Sequence, residues 1–241
     1  MSRSAGPMEP ARIKELQDFC ERNGIRFKDL KLLNQALTHS SFAKEPGRSQ
    51  KDNQRLEYLG DSVLGFIVNE FLYRTYPDYQ EGMLARIKSA AVSEKTLSGA
   101  ARAIRLGSIL RMSRGERNSG GSRRPSNLAD GFEALIAAIY LDRGISTTRK
   151  FVLNLLQKKI ESLSKPGKAL DPKSALQEMI QKRSHTIPVY ELVNQGGPDH
   201  KREFTCRVMV QGLEIARGQG TSRKRAEQQA AQRALEKLRD P

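Results

Sequence analysis

Two short stretches carry acidic residues at spacings that stack them on one side of a helix. Glu57 and Asp61 stand four apart in NQRLEYLGDSVLGF, residues 53–66, and Asp130 and Glu133 stand three apart in NLADGFEALIAAIYLD, residues 127–142. Each is a like-charge pair, mildly destabilising by itself. The second stretch is apolar nearly all round, the pattern of a buried helix. Carboxylates on a buried helix need compensation, because an unpaired buried charge is costly. A hard divalent cation supplies it, and Mg²⁺ prefers carboxylate oxygen and water to nitrogen or sulfur. Taken singly, each pair has an ordinary explanation. Asp130 falls in the first turn of its helix, where an acid suits the dipole and completes a cap with Asn127. Glu57 and Asp61 form a solvated face or pair with arginines. Both pairs together, with Gly60 permitting close helix approach despite its helix cost of about 1 kcal/mol, favour the metal.

Other chemistries find little material. The three histidines (His39, His185, His200) are scattered, which argues against a His-ligated zinc site or a Ser-His-Asp triad. Cys20 and Cys206 are far apart, without metal-ligand spacing, and point to a reducing, cytoplasmic setting. The charge is more telling: 42 Lys plus Arg against 27 Asp plus Glu leaves +15, which favours a polyanionic partner. The longest apolar run, residues 134–141, is too short to span a bilayer, and the N-terminus lacks the apolar core of a signal peptide. A nucleic acid is therefore preferred to a membrane.

The elements that must position these residues are helical from residue 9 to about 161. Asp29 is placed to cap a helix reaching Thr38. Further helices are expected over about 53–76, stopped by Pro77, and over 81–104, 127–141 and 146–163. The stretches 43–52 and 112–126 read as loops, the second mobile because it is rich in Gly, Ser and Arg. Residues 162–172, SLSKPGKALDP, read as a linker. Beyond it comes a short amphipathic helix, 173–183, with Ala175, Leu176, Met179 and Ile180 on one face. Phe204, Cys206, Val208 and Val210 then alternate with Thr205, Arg207 and Met209, as in a half-buried strand. Strands over 188–193 and 213–218 flank it, and a last helix carries Ala226, Ala230, Ala231, Ala234, Leu235 and Leu238 as its stripe. The expected architecture is an all-α domain over 9–163 followed by a small αβββα domain over 169–239.

NQRLEYLGDSVL resembles the signature of the ribonuclease III family, and LADGFEALIAAIYLD resembles that family's second acidic helix. The C-terminal pattern resembles the double-stranded-RNA-binding domain of its bacterial members, so the likeness covers essentially the whole chain. It implies that Glu57, Asp61, Asp130 and Glu133 hold catalytic Mg²⁺, with Mn²⁺ able to substitute and Asp61 and Glu133 nearest the chemistry. It also implies a homodimer with one site per subunit, cutting both strands of duplex RNA to leave 5′-phosphate and 3′-hydroxyl ends. Precursor ribosomal RNA and other structured RNAs, messenger and transfer RNA among them, are the implied substrates. One position departs: Gln54 stands where the family usually has Glu. It keeps the shape and loses the charge, while all four implied ligands remain.

Three regions of the second domain are candidate RNA contacts. Arg223, Lys224 and Arg225 open the last helix, whose N-terminus adds its own positive end. Pro198 and His200 lie in the loop GGPDH, 196–200, and Gln177 and Glu178 lie on the first helix of the domain. Such domains read A-form shape and 2′-hydroxyls largely without sequence. Glu227 departs, standing where many carry another basic residue. The rival function is a non-catalytic dimeric double-stranded-RNA-binding protein that uses its helical domain only to dimerise. The intact carboxylates argue against it.

Overall fold

The computed structural model describes residues 8–47, 50–164, 172–196 and 202–239. The chain divides into two compact units, Met1–Leu163 and Ser164–Pro241.

The first unit is helical. It runs through α1 (Pro10–Arg22), α2 (Leu30–Ala36), α3 (Ser40–Ala43), α4 (Gln54–Thr75), α5 (Glu81–Ala91), α6 (Glu94–Ala103), α7 (Leu106–Ile109), α8 (Arg114–Asn118) and α9 (Pro125–Ser164). Proline at the first position of α1 and of α9 costs nothing, since the N–H it lacks would be unpaired there. Asp29 caps α2 by accepting from the Lys31 N–H at 2.8 Å. From the far end of α9's first segment, the Asp142 carboxylate accepts from the Lys28 and Asp29 N–H groups at 2.8 and 2.9 Å. Within α9, Gly144 breaks the helical path with φ of 75°, a conformation that suits a residue without Cβ. The two helical segments expected here are thus present, meeting at the kink at Gly144.

α9 lies at the centre of the unit. Ala134 to Ile139 are all fully buried, so this turn and a half of helix meets protein on every side. α4 buries Leu56, Val63, Leu64, Ile67, Val68 and Leu72, and Leu56 packs with Ala36, Ala134, Ala137 and Ala138. Each such Leu or Ile contributes roughly 1.5–3 kcal/mol of transfer free energy.

Three local expectations are corrected. Residues 81–104 form two helices, because Ser93 turns out of the path with extended backbone and starts α6, with Glu94 in its first turn. The stretch 112–126 contains α8 and a 3₁₀ turn, Gly121–Arg123, rather than loop alone. Glu116 ties it together, accepting from Arg124 at 2.5 Å and from the Asn127 amide at 2.9 Å. Asn127 therefore does not cap α9, which begins two residues earlier.

The second unit comprises α10 (Pro172–Ser184), an antiparallel sheet in the order β1 (Val189–Gly196), β2 (Glu203–Val210), β3 (Leu213–Gly220), and α11 (Arg223–Arg239). The core joins Ala175, Leu176 and Ile180 of α10, Val208 and Val210 of β2, and Ala230, Ala231, Ala234 and Leu235 of α11. The alternation along β2 and the stripe of α11 face it together. Among the described residues, no helix is long and apolar enough to cross a membrane.

Candidate active site

The helix α4 presents Glu57 and Asp61, and the first segment of α9 presents Asp130 and Glu133. The two helices cross in backbone contact. A Cβ placed on Gly60 would stand 1.9 Å from the Glu133 carbonyl oxygen and 2.5 Å from its carbonyl carbon, so only glycine permits this approach. Gly60 lies between Glu57 and Asp61, and the crossing sets Glu133 against both.

The charges register this closeness. Burial pushes the Glu133 carboxyl up to about 7, and the charges of Asp61, Glu57 and Asp130 add to the rise. Burial also raises Glu57, helped by Asp130 and Asp52. Asp130 is raised by burial, against the influence of His39 and together with that of Glu94. Glu57, Asp130 and Glu133 are half-buried, while Asp61 is exposed.

Their lack of basic partners is the informative feature. Among the described residues none of the four forms an ion pair, in a chain with 42 Lys and Arg. Two acids of the same unit show the contrast. Glu70 accepts from Arg74 and Arg149, the latter at 2.5 Å, and Glu116 accepts from Arg124. The alternative of a face paired with arginines thus fails for Glu57 and Asp61. A crowded, unpaired set of oxygen donors with a proton-holding member fits a hard divalent cation. Among the described residues, however, no three acidic, His or Cys side chains converge closely enough to grip an ion unaided. Mutual repulsion keeps such a set open, and Mg²⁺ usually retains several waters in its shell.

Sequence reading missed three neighbours: Asp52, His39 and Glu94. Asp52 precedes α4 and accepts from the Gln54 N–H at 3.2 Å. His39 caps α3, its Nδ1 accepting from the Ser41 N–H at 3.2 Å. Glu94 opens α6. They reach the site from three separate elements, which no spacing in the sequence reveals.

In the second unit, Arg223, Lys224 and Arg225 are exposed at the start of α11, and Gln177 is exposed on α10. Pro198 and His200 lie outside the described residues, as does the Glu178 side chain. Glu227 has a structural role: it accepts from Lys173 of α10 at 2.7 Å and from Arg223 at 2.9 Å. Burial works against its charge, but these two hydrogen bonds prevail and hold its carboxyl below the usual range.

Residues 29–160 match the family described as Ribonuclease-III-like, and residues 172–238 match the double-stranded RNA binding motif. The Ribonuclease 3 of Treponema denticola is 43% identical over 231 residues, covering 96% of this chain and 94% of that protein. The Ribonuclease 3 of Desulforamulus reducens is 46% identical over 218 residues, covering 90% and 89%. The solved nuclease domain of ribonuclease III from Campylobacter jejuni is 38% identical with a TM-score of 0.56, covering 59% of this chain and 96% of that one. That structure is described as having flexibility in a region involved in dimer formation.

Proposed function

The chain belongs to the ribonuclease III family, and from that membership we propose that Glu57, Asp61, Asp130 and Glu133 hold Mg²⁺ for endonucleolytic hydrolysis of double-stranded RNA. The observation that carries the metal assignment is the unpaired quartet on two helices in backbone contact, with Glu133 pushed up to about 7. A bound ion would lower the pKa of a coordinated water and stabilise charge on the leaving 3′-oxygen. The protein's part is to hold four oxygen donors at one crossing. Glu133 sits at the contact, where a bound cation would take the place of the proton that burial favours. Asp61, the exposed member, faces solvent from which substrate approaches. The products carry 5′-phosphate and 3′-hydroxyl ends, and Mn²⁺ substitutes for Mg²⁺.

Arg223, Lys224 and Arg225 supply phosphate contacts at the start of α11, where the helix dipole adds to their charge. Gln177 and Glu178 of α10, and Pro198 and His200 between β1 and β2, complete the duplex-reading surface. Precursor ribosomal RNA and other structured RNAs of the cytoplasm are the substrates that this pairing of units suits.

The active form is a homodimer. Leu56 and Val63 are in the subunit's own core. Among the described residues of the first unit, the large apolar side chains left in water are Tyr58 and Tyr73, 80% and 75% exposed, with Phe66 at 55% and Leu141 at 54%. Phe66 and Leu141 line a groove of about 710 Å³ with Leu59, Val63 and Tyr140. An apolar patch of this kind marks an association surface. The family resemblance makes a second copy its occupant.

The direct test is incubation with a long RNA duplex with and without Mg²⁺, followed by end analysis. Cleavage in Mg²⁺ alone, leaving 5′-phosphates, is expected. Tight binding without cleavage under any divalent cation would favour the non-catalytic reading.

A further inference from the structure

The first unit also contains a concentration of positive charge. Two cavities of about 400 and 490 Å³ share Ser108 and Arg117 in their walls. Arg12 and Arg111 also wall the first, and Arg102, Arg105 and Arg123 the second. Glu9 and Glu15 offset part of the charge in the first cavity, and among the described residues no acidic side chain lines the second.

Arg12 is the unusual member, for it is only 7% exposed. Its Nε donates to Asn34 Oδ1 at 2.8 Å, and one terminal nitrogen donates to Glu15 at 2.6 Å and to the Ile109 carbonyl at 2.9 Å. The other terminal nitrogen is buried and has no partner among the described residues. Burial lowers the Arg12 pKa, Glu15 opposes that effect, and the nearby charge of Arg117 adds to it. A guanidinium held away from water with an unmet donor beside another guanidinium calls for an anion. Planar forked donors match phosphate oxygens in particular.

We propose that these neighbouring cavities bind a phosphate monoester, with Arg12 as the buried anchor and Arg111 and Arg117 on its open side. A phosphate inside a duplex carries sugars on both flanks and cannot reach a group sunk this deeply. Inorganic phosphate, a nucleoside monophosphate or the 5′-phosphate of an RNA end can. The RNA-end source rests on the hydrolysis proposed above, which leaves such ends. The phosphate chemistry of the cavities does not.

The test uses the full chain in EDTA, with thermal unfolding followed against sodium phosphate at constant ionic strength set by chloride. Phosphate should raise the midpoint saturably. Arg117→Gln should weaken half-saturation about tenfold, as loss of a charge-assisted contact does, while Lys158→Gln, exposed on α9 and in the wall of neither cavity, should leave it unchanged. Arg12→Gln should abolish the shift; should that variant fail to fold, the exposed Arg117 decides. The source is then read from binding of 5′-phosphorylated and 5′-hydroxyl duplexes without divalent metal. A preference for the phosphorylated duplex that Arg117→Gln removes assigns the RNA end, and equal binding with the midpoint shift intact assigns the free monoester. A midpoint that follows ionic strength alone, or a phosphate shift that survives both substitutions, overturns the proposal. Neither readout involves cleavage, so failure here is distinct from failure of the carboxylate assignment.

Discussion

Gly60 and the backbone of Glu133 occupy one crossing point, where a methyl group on Gly60 would stand 1.9 Å from the Glu133 carbonyl oxygen. Neither backbone can yield cheaply, since each lies within a packed helix. Gly60→Ala should therefore cost about 3 kcal/mol or more, at the upper end of overpacking penalties, and should abolish cleavage by parting α4 from α9. Gly99→Ala in α6 is the control. It meets nothing within 4 Å and should be neutral or stabilising by up to ~1 kcal/mol. Urea unfolding of both variants checks this, and equal stabilities would mean the crossing has room for a methyl group.

Glu133→Gln separates stability from activity. The substitution keeps the shape and removes the charge that Asp61, Glu57 and Asp130 crowd. Without metal near neutral pH the variant should unfold at a higher temperature than the natural protein. Cleavage in Mg²⁺ should fall below detection while duplex binding persists. A variant that cuts at the natural rate would remove Glu133 from the metal site.

Much of this site is legible in the sequence, and the missing part has a physical cause. The buried helix α9 is visible because Ala134 to Ile139 leave no polar face, and the carboxylate spacings follow from helix geometry. What the sequence hides is which apolar residues the subunit consumes itself. Leu56 and Tyr58 are two residues apart on α4, yet the first packs against Ala134, Ala137 and Ala138 and the second stands in water. Helix α8 is hidden for a related reason: five residues, two of them arginine, form a helix only because Glu116 gathers Arg124 and Asn127. Glu227 reads as a lapse in a basic cluster until Lys173, 54 residues away, is found against it.

Stability should depend on pH in a direction set by Glu133. Its carboxyl is held at about 7 in the folded chain against an ordinary 4.5. Between those values the folded form keeps a proton that the unfolded form has lost, so stability falls as pH rises through that window. The loss is at most ~3 kcal/mol, and Glu57 and Asp130 shift the same way. A cation competes with that proton. In EDTA the unfolding midpoint should drop between about pH 5 and pH 7, and added Mg²⁺ should restore more of it at the higher pH. A Mg²⁺ effect that is the same at both would detach the ion from these carboxylates.

Gln54 should be compatible with catalysis. It is the first residue of α4 and is exposed, and its backbone N–H is paired with Asp52. The four proposed ligands are intact without it. The natural protein should cleave duplex RNA, and Gln54→Glu should change the rate by less than about tenfold, a barrier change under ~1.4 kcal/mol. An inactive natural protein that Gln54→Glu switches on would make this position essential.

Deleting residues 169–241 should weaken RNA binding strongly and leave some cleavage at low salt. All four carboxylates precede the cut, and the α4–α9 crossing lies within Met1–Leu163. The removed segment carries 13 basic and 9 acidic residues, so +4 of the +15 leaves and +11 stays with the helical unit. That charge attracts a polyanion when screening is weak, with a Debye length of about 30 Å at 0.01 M salt and 10 Å at 0.1 M. The full chain keeps contacts that recognise duplex shape and decay less steeply with salt. Cleavage of one duplex by both forms across a salt series should therefore show the truncated protein failing first and the full chain persisting. A truncated protein that stays folded yet inert at the lowest salt and highest enzyme concentration would mean the second unit helps to build the catalytic site.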